Sequence, residues 1–144
     1  FGDAGKSYSG FSKNNPLHEL APMFARLAIE SFREGGFSKL LISGEEYYLA
    51  SFGLKSDYWA YFDYEMDFHE GIEGDIKATL QELASYYHAQ FQDTRYKNEK
   101  NRNFQKAVKW YRQYLDLFPS DEKLPEIHFK YAELFLENNM KSQA

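Results

Sequence analysis

The sequence predicts an all-α protein of about six helices. Apolar residues recur at steps of three and four along most of the chain, the spacing that places them on one side of an α-helix. No segment shows the alternation of polar and apolar residues that a half-buried β-strand requires. Glycine, proline and asparagine divide the helical patterns at short intervals, so we expect helices joined by turns.

The start of the chain precedes the first helical pattern. Residues 1–15 are rich in glycine, serine and asparagine and show no sustained period, which predicts a flexible leader or linker. Asn15 and Pro16 then favour the start of a helix, because asparagine caps free amides and proline lacks the amide that is unsatisfied there. Gly35 and Gly36 end this helix. Its apolar stripe consists of Leu17, Leu20, Phe24, Leu27, Ala28 and Phe32.

Two further helices are predicted in the middle of the chain. The second runs over 37–50, where Gly44 allows a neighbouring helix to approach closely and Gly53 ends the element. A third follows over 57–70. It carries too many large apolar residues for one narrow stripe, which predicts burial on more than one side. These residues are Trp59, Tyr61, Phe62, Tyr64, Met66 and Phe68.

A long fourth helix is predicted after Gly71 and Gly74, and its apolar stripe is the most regular in the chain. The stripe consists of Ile76, Leu80, Leu83, Ala84, Tyr87 and Phe91. The polar stretch 93–103 then predicts a loop. A fifth helix stops at Pro119, and a sixth opens near Pro125 and ends at an asparagine pair.

Composition limits the classes of function. The formal net charge of −5 gives no long-range attraction to nucleic acid, and it favours basic or neutral partners. The absence of cysteine excludes disulfides, thiolate metal sites and cysteine nucleophiles. No apolar run approaches the roughly 18 residues that a membrane span requires. The sequence therefore predicts neither nucleic-acid binding nor a membrane span.

The spacing of small residues in the C-terminal part resembles that of tetratricopeptide repeats. In FQKAVKWYRQYLDLFPSD, Ala107 is followed by an aromatic residue, a leucine and Pro119, as in the second helix and exit turn of such a repeat. The next segment is similar to a first helix, with Ala132 at the small position and Ala144 twelve residues later. A shorter match places Ala28 at the small position.

This resemblance implies a right-handed α-α superhelix over 16–144, as part of a longer array. It also implies a non-enzymatic scaffold that binds a partner protein or peptide on a concave surface lined by first helices. The positions that the family geometry assigns to this surface are Glu126, Phe129, Glu133, Leu136, Glu137, Gln81, Ser85 and His88. Further upstream it assigns Ala25, Ile29 and Phe32. The units most resemble repeats of bacterial cell-envelope scaffolds, which favours the periplasm or cell envelope over the cytoplasm.

Two alternatives belong to other classes of function. One is a helical regulatory or lid domain of a larger enzyme whose catalytic site lies outside this chain. The other is a metal-dependent enzyme that uses the third helix, where Asp63, Asp67 and Glu70 share one face beside His69. Because no Glu-x-x-His pair or calcium-loop pattern accompanies these carboxylates, no catalytic residue, metal site or cofactor is predicted.

The remaining polar features have structural interpretations. The four histidines show no ligand spacing and are predicted to pack or cap; they are His18, His69, His88 and His128. The basic residues of the predicted loop are interpreted as solvated, with contact to an acidic partner as the alternative. They are Arg95, Lys97, Lys100 and Arg102.

Overall fold

A computed structural model describes the backbone of residues 1–62 and 66–142 and the side chains of 1–62 and 71–140. Within these ranges the elements are seven α-helices and one 3-10 helix, and no strand, which confirms the predicted all-α class. The α-helices are α1 (Gly2–Asn14), α2 (Ala21–Gly35), α3 (Ser38–Phe52), α4 (Asp57–Tyr61), α5 (Met66–Gln92), α6 (Lys100–Leu117) and α7 (Leu124–Ser142). The 3-10 helix spans Thr94–Glu99.

The chain divides into two compact units. Unit 1 spans Phe1–Ile76 and unit 2 spans Lys77–Ala144, so that the division falls inside α5. The boundary predicted after residue 15 is not a structural division, because α1 and α2 pack together within unit 1. Each unit is therefore considered by itself.

Residues 1–15 form a helix instead of the predicted leader. The α1 backbone approaches α2 so closely that a Cβ atom on Gly5 would lie 2.4 Å from a ring carbon of Phe32. Farther along α1, the buried Ser12 places its hydroxyl oxygen 3.0 Å from that of Tyr47. The close approach at Gly5 and Ser12 depends on their small size, and a search for large apolar residues at helical spacing does not detect it.

Helix α2 begins later than predicted, at Ala21 instead of Pro16. Asn15 terminates α1, because its side-chain amide donates to the Phe11 carbonyl at 3.0 Å. The predicted glycine stop is confirmed at the other end of α2. Gly36 adopts the left-handed conformation there, with φ of 74°, which glycine accepts without steric cost.

The contact between α2 and α3 confirms the predicted role of Gly44 and corrects another prediction. A Cβ atom on Gly44 would lie 3.4 Å from Ile29 Cγ1, so the two helices meet closely at this position. Ala25, Ile29 and Phe32 are between 0% and 3% exposed. The prediction that these three residues line a partner-binding surface is therefore wrong, because they belong to the core of unit 1.

The predicted third and fourth helices are divided differently in the structure. Helix α4 ends at Tyr61, and Phe62 is extended. Helix α5 then runs from Met66 without interruption through Gly71 and Gly74, where the sequence predicts a break. Each helical glycine costs only about 1 kcal/mol relative to alanine. Burial of the apolar stripe that follows offsets this cost.

The predicted loop over 93–103 is mostly helical. Its 3-10 helix starts where the Asp93 carboxylate accepts the backbone amide of Arg95 at 2.9 Å, and α6 already begins at Lys100. Helix α7 continues through Asn138 and Asn139, where the sequence predicts an end.

Within unit 2, α6 runs antiparallel to both of its neighbours. Near the start of the part of α5 that belongs to unit 2, Lys77 binds Asp121, which follows the end of α6, at 2.7 Å. At the other end of the pair, the Phe91 ring near the end of α5 lies against the Phe104 ring near the start of α6, with centroids 5.9 Å apart. The Phe104 ring also contacts that of Phe135 on α7, at 5.3 Å. Helix α7 thus packs on α6, and the side of α7 turned away from this contact is exposed.

The small residues of the repeat pattern have different surroundings. Ala107 is fully buried in α6, as expected where helices approach closely. Ala132 is exposed on α7, so the prediction that a paired helix covers it is wrong for the helices of this unit. Ala144 lies outside the described residues.

Candidate functional site on α7

Helix α7 has two apolar faces. Ile127 and Leu134 are 1% and 0% exposed and form the face that packs within unit 2. On the opposite side Phe129, Leu136 and Met140 are 70%, 60% and 63% exposed. At about 100° per residue these three side chains fall within about 40° of one another. Together with the exposed Ala132 they form what we call the outer stripe.

The outer stripe differs from the single exposed apolar residues that are common on protein surfaces. Phe129, Leu136 and Met140 follow one another at helical spacing along three turns of the same helix. Covering a large apolar side chain completely contributes roughly 1.5–3 kcal/mol, so a partner that covers all three gains a substantial part of its binding free energy. An aligned apolar stripe of this kind is typical of a docking surface.

One border of the outer stripe is acidic. Glu126 and Glu133 are exposed there, about four turns and about two turns before Met140. Lys130 lies among them and pairs with Glu126 at 3.1 Å. Two exposed carboxylates against one ammonium group make this border negative. A partner with basic residues along the matching side of its apolar face is electrostatically complementary.

Glu137 and His88 lie inside unit 2 instead of on the outer stripe. The Glu137 carboxylate accepts the Gln92 side-chain amide at 2.9 and 3.0 Å and lies 3.2 Å from His88 Nε2. Because a carboxylate only accepts, Nε2 carries the ring proton in this contact. His88 Nδ1 then accepts the hydroxyl proton of Tyr111, whose oxygen lies 2.8 Å away. The network therefore joins α5, α6 and α7.

The state of Tyr111 agrees with this assignment. Burial, followed by the charges of Glu133 and Glu137, raises the pKa of Tyr111 to about 12. The hydroxyl thus keeps its proton and donates to His88, which is only 7% exposed. The prediction that the histidines pack or cap is confirmed for His88.

The other predicted positions on α5 lie on the same side of the helix as His88 and Gln92. Gln81 is half-buried and Ser85 is exposed, and they lie seven and three residues before His88. Neither belongs to the outer stripe, which is confined to α7. Of the eight predicted positions, four belong to the outer stripe or its acidic border without an interior contact: Glu126, Phe129, Glu133 and Leu136. Met140 was not predicted, although its step of four from Leu136 indicates it.

The turn before α7 is held by ionic contacts. Asp121 binds the Lys77 ammonium group at 2.7 Å, accepts the Lys123 backbone amide at 2.9 Å, and accepts the Tyr114 hydroxyl at 3.0 Å. These contacts, first the one with Lys77, lower the pKa of Asp121 to about 2. Burial and the bond to Asp121 raise the pKa of Tyr114 to about 12. The start of α7 is thus fixed relative to the end of α6.

The polar clusters give no second site among the described side chains. No group of three or more histidine, aspartate or glutamate side chains there is placed to hold a metal ion. The side chains of the carboxylate cluster considered in the sequence, Asp63, Asp67 and Glu70 with His69, lie outside the described residues. Arg95 is engaged by Asp93 at 2.7 Å, within the 3-10 segment.

None of the described helices combines the length and the apolar character needed to cross a membrane. Comparisons with protein-family models, with curated proteins and with solved structures find no match to this chain. The functional argument therefore depends on the residues themselves.

Proposed function

We propose that this protein is a non-enzymatic scaffold whose outer stripe on α7 binds an amphipathic, basic or neutral helical segment of a partner protein. One observation supports this most: Phe129, Leu136 and Met140 form an aligned apolar face that is more than half exposed and has an acidic border. Aligned exposure of this kind is costly in water unless another surface covers it.

The dimensions of the outer stripe define the partner segment. From Phe129 to Met140 the helix rises about 16 Å, which matches three turns of a second helix. The small Ala132 lies between the large residues, so the partner backbone can approach α7 closely there. We expect apolar partner residues at steps of three and four, with lysine or arginine on the side that faces Glu133.

The packing of unit 2 supports a tetratricopeptide-like arrangement as part of the proposal. Helices α5 and α6 are antiparallel, like the two helices of one repeat, and in the proposed arrangement α7 corresponds to the first helix of the next repeat. The bonds from His88 and Gln92 to Glu137 bring α7 beside α5, as neighbouring first helices are in a right-handed superhelix. A location in the periplasm or cell envelope also belongs to the proposal and is supported by the sequence resemblance alone.

Fluorescence anisotropy with two designed peptides tests the proposed function. Both are labelled helices with the same leucine stripe, flanked by lysine in one peptide and by glutamate in the other. We expect the lysine-flanked peptide to bind more tightly. Since complete burial of a large apolar side chain contributes roughly 1.5–3 kcal/mol, Leu136→Ala and Phe129→Ala should each weaken binding by up to about 10- to 100-fold.

Two variants serve as controls. Leu17→Ala removes an apolar side chain that is 51% exposed in unit 1, and it should leave the affinity unchanged. Glu133→Lys should weaken binding of the lysine-flanked peptide and strengthen that of the glutamate-flanked one, without loss of helicity. Equal affinity of all variants for both peptides would contradict the proposed function.

A further inference from the structure

Unit 1 contains an open cleft between α2, α4 and the first described side chains of α5. Its volume is about 830 Å³. Ligand sites in proteins commonly measure roughly 300–1,000 Å³, so the cleft has room for a small organic molecule. It follows α2 from Leu20 to Glu30, a distance of about 15 Å at the helical rise per residue. An elongated ligand fits this shape better than a compact one.

The walls of the cleft are mainly apolar and partly aromatic. Leu20, directly before α2, and Met23, on α2, line the cleft and are 39% and 47% exposed. Across from them, the Tyr58 and Trp59 rings meet edge to face with centroids 4.8 Å apart. The Trp59 indole N–H donates to the Phe52 carbonyl at 3.0 Å, which fixes the ring.

Tyr58 ties the aromatic wall to the segment before α2. Its hydroxyl lies 3.1 and 3.2 Å from the carbonyl oxygens of His18 and Glu19. Burial, and then the charge of Glu19, raises the pKa of this hydroxyl, so it remains a donor. The wall is therefore held in place by hydrogen bonds that need no ligand.

The charges around the cleft are unbalanced. Arg26 pairs with Asp75 at 3.3 Å and lies over the Tyr48 ring, 5.5 Å from its centroid. Glu19 and Glu30 also line the cleft, both are exposed, and neither forms an ion pair with a described side chain. Among the lining residues that the structure describes, three carboxylates against one guanidinium group give a net charge of −2. Two of these carboxylates are available to a ligand.

We propose that this cleft binds an elongated apolar organic cation, such as a long-chain primary or quaternary ammonium compound. The apolar body lies along Leu20 and Met23, and the cationic group lies near Glu30. Aromatic faces such as that of Trp59 attract organic cations as well. An anionic amphiphile of the same length meets like charge and is rejected. This site is in unit 1 and is independent of the partner site on α7.

The test uses the fluorescence of Trp59 in the full chain carrying Trp110→Phe. The indole N–H of Trp110 is buried and has no hydrogen-bond partner among the described residues, so phenylalanine removes no such bond. Three probes with the same alkyl chain are titrated below their micelle-forming concentrations: decyltrimethylammonium, decyl sulfate and neutral decyl maltoside. We expect saturable binding of the cation, at least about tenfold tighter than that of the sulfate.

A matched pair of variants locates the cation. Glu30→Gln removes a carboxylate that lines the cleft, whereas Glu34→Gln removes an exposed one a turn later on the same helix, outside the lining. We expect Glu30→Gln to weaken binding of decyltrimethylammonium about two- to five-fold and Glu34→Gln to leave it unchanged. Leu136→Ala should also leave it unchanged, which separates this site from the proposed function.

Three results would overturn the cation site. They are equal affinity for the three probes, equal effects of Glu30→Gln and Glu34→Gln, and the absence of any saturable response to decyltrimethylammonium. A response of Trp59 to the lysine-flanked peptide but not to the small cation would make the cleft a peptide site instead, and would also overturn the proposal.

Discussion

Two alanine substitutions in α1 test whether this helix packs as the structure indicates. Gly5 and Gly10 both lie within α1. From helix propensity alone, replacing either glycine by alanine stabilises the helix by up to about 1 kcal/mol. Their surroundings differ. A Cβ atom on Gly10 has no neighbour within 4 Å, whereas one on Gly5 would lie 2.4, 2.7 and 2.9 Å from three ring carbons of Phe32. Phe32 is only 3% exposed, so its ring has little room to move.

The expected difference follows from these contacts. Overpacking a well-packed core costs typically about 1–3 kcal/mol. Gly10→Ala should therefore raise the free energy of unfolding by about 0.5–1 kcal/mol, and Gly5→Ala should lower it by up to about 2.5 kcal/mol. Urea titration of chains that carry Trp110→Phe, with Trp59 fluorescence as the signal, measures both values in unit 1. Equal stabilisation by the two substitutions would refute the packing of α1 on α2.

Three further predictions concern unit 2. Asp121→Asn should lower the stability of the protein near neutral pH. The difference in stability from the parent should disappear as pH falls from about 4 through the folded pKa of about 2, which acid titration by circular dichroism measures. A difference in stability that does not depend on pH would contradict this. His88→Ala should lower the free energy of unfolding in urea by about 1–3 kcal/mol, because it leaves Tyr111 and Glu137 without a buried partner; an unchanged value would exclude the network. Ala132→Trp should leave the melting temperature nearly unchanged and block binding of the lysine-flanked peptide, whereas Ala107→Trp should unfold unit 2. Equal melting temperatures of the two variants would show that the exposed position of Ala132 and the buried position of Ala107 are wrong.

The helices with large periodic apolar residues could be predicted from the sequence. The stripe from Ile76 to Phe91 in α5 and the core residues of α6 are buried, because a regular stripe of this size is only stable against another surface. The positions where helices end were less predictable. Gly71 and Gly74 lie within α5, since the propensity of a single residue is a small free energy compared with the packing of a long helix.

Helix α1 could not be found by the same reasoning. The Tyr8 and Phe11 rings contact Phe24, but two aromatic residues do not make a stripe, and the other contacts of α1 involve Gly5 and Ser12, which allow a neighbouring helix to approach closely. Nothing in the local sequence names Phe32 as that neighbour. The periodicity of apolar residues indicates which of a helix's own side chains are buried. It does not indicate how closely another helix can approach.

The candidate site was predicted in part. Phe129, Leu136 and Glu133 are placed on one face by helical geometry alone, and the structure leaves that face exposed. The same geometry could not show that Glu137 is engaged by His88, because 49 residues separate the two along the chain. Such a pairing depends on tertiary packing, which the spacing of residues within one helix does not predict.

The most direct test of the central claim labels the border of the outer stripe. The chain has no cysteine, so Lys130→Cys offers one attachment point for a polarity-sensitive dye at the acidic border, and Lys39→Cys offers an exposed one on α3. On titration with the lysine-flanked peptide, the dye at position 130 should shift to the blue and saturate, and the dye at position 39 should not respond. If the peptide binds by anisotropy while the dye at position 130 keeps its aqueous spectrum, the outer stripe is not the docking surface.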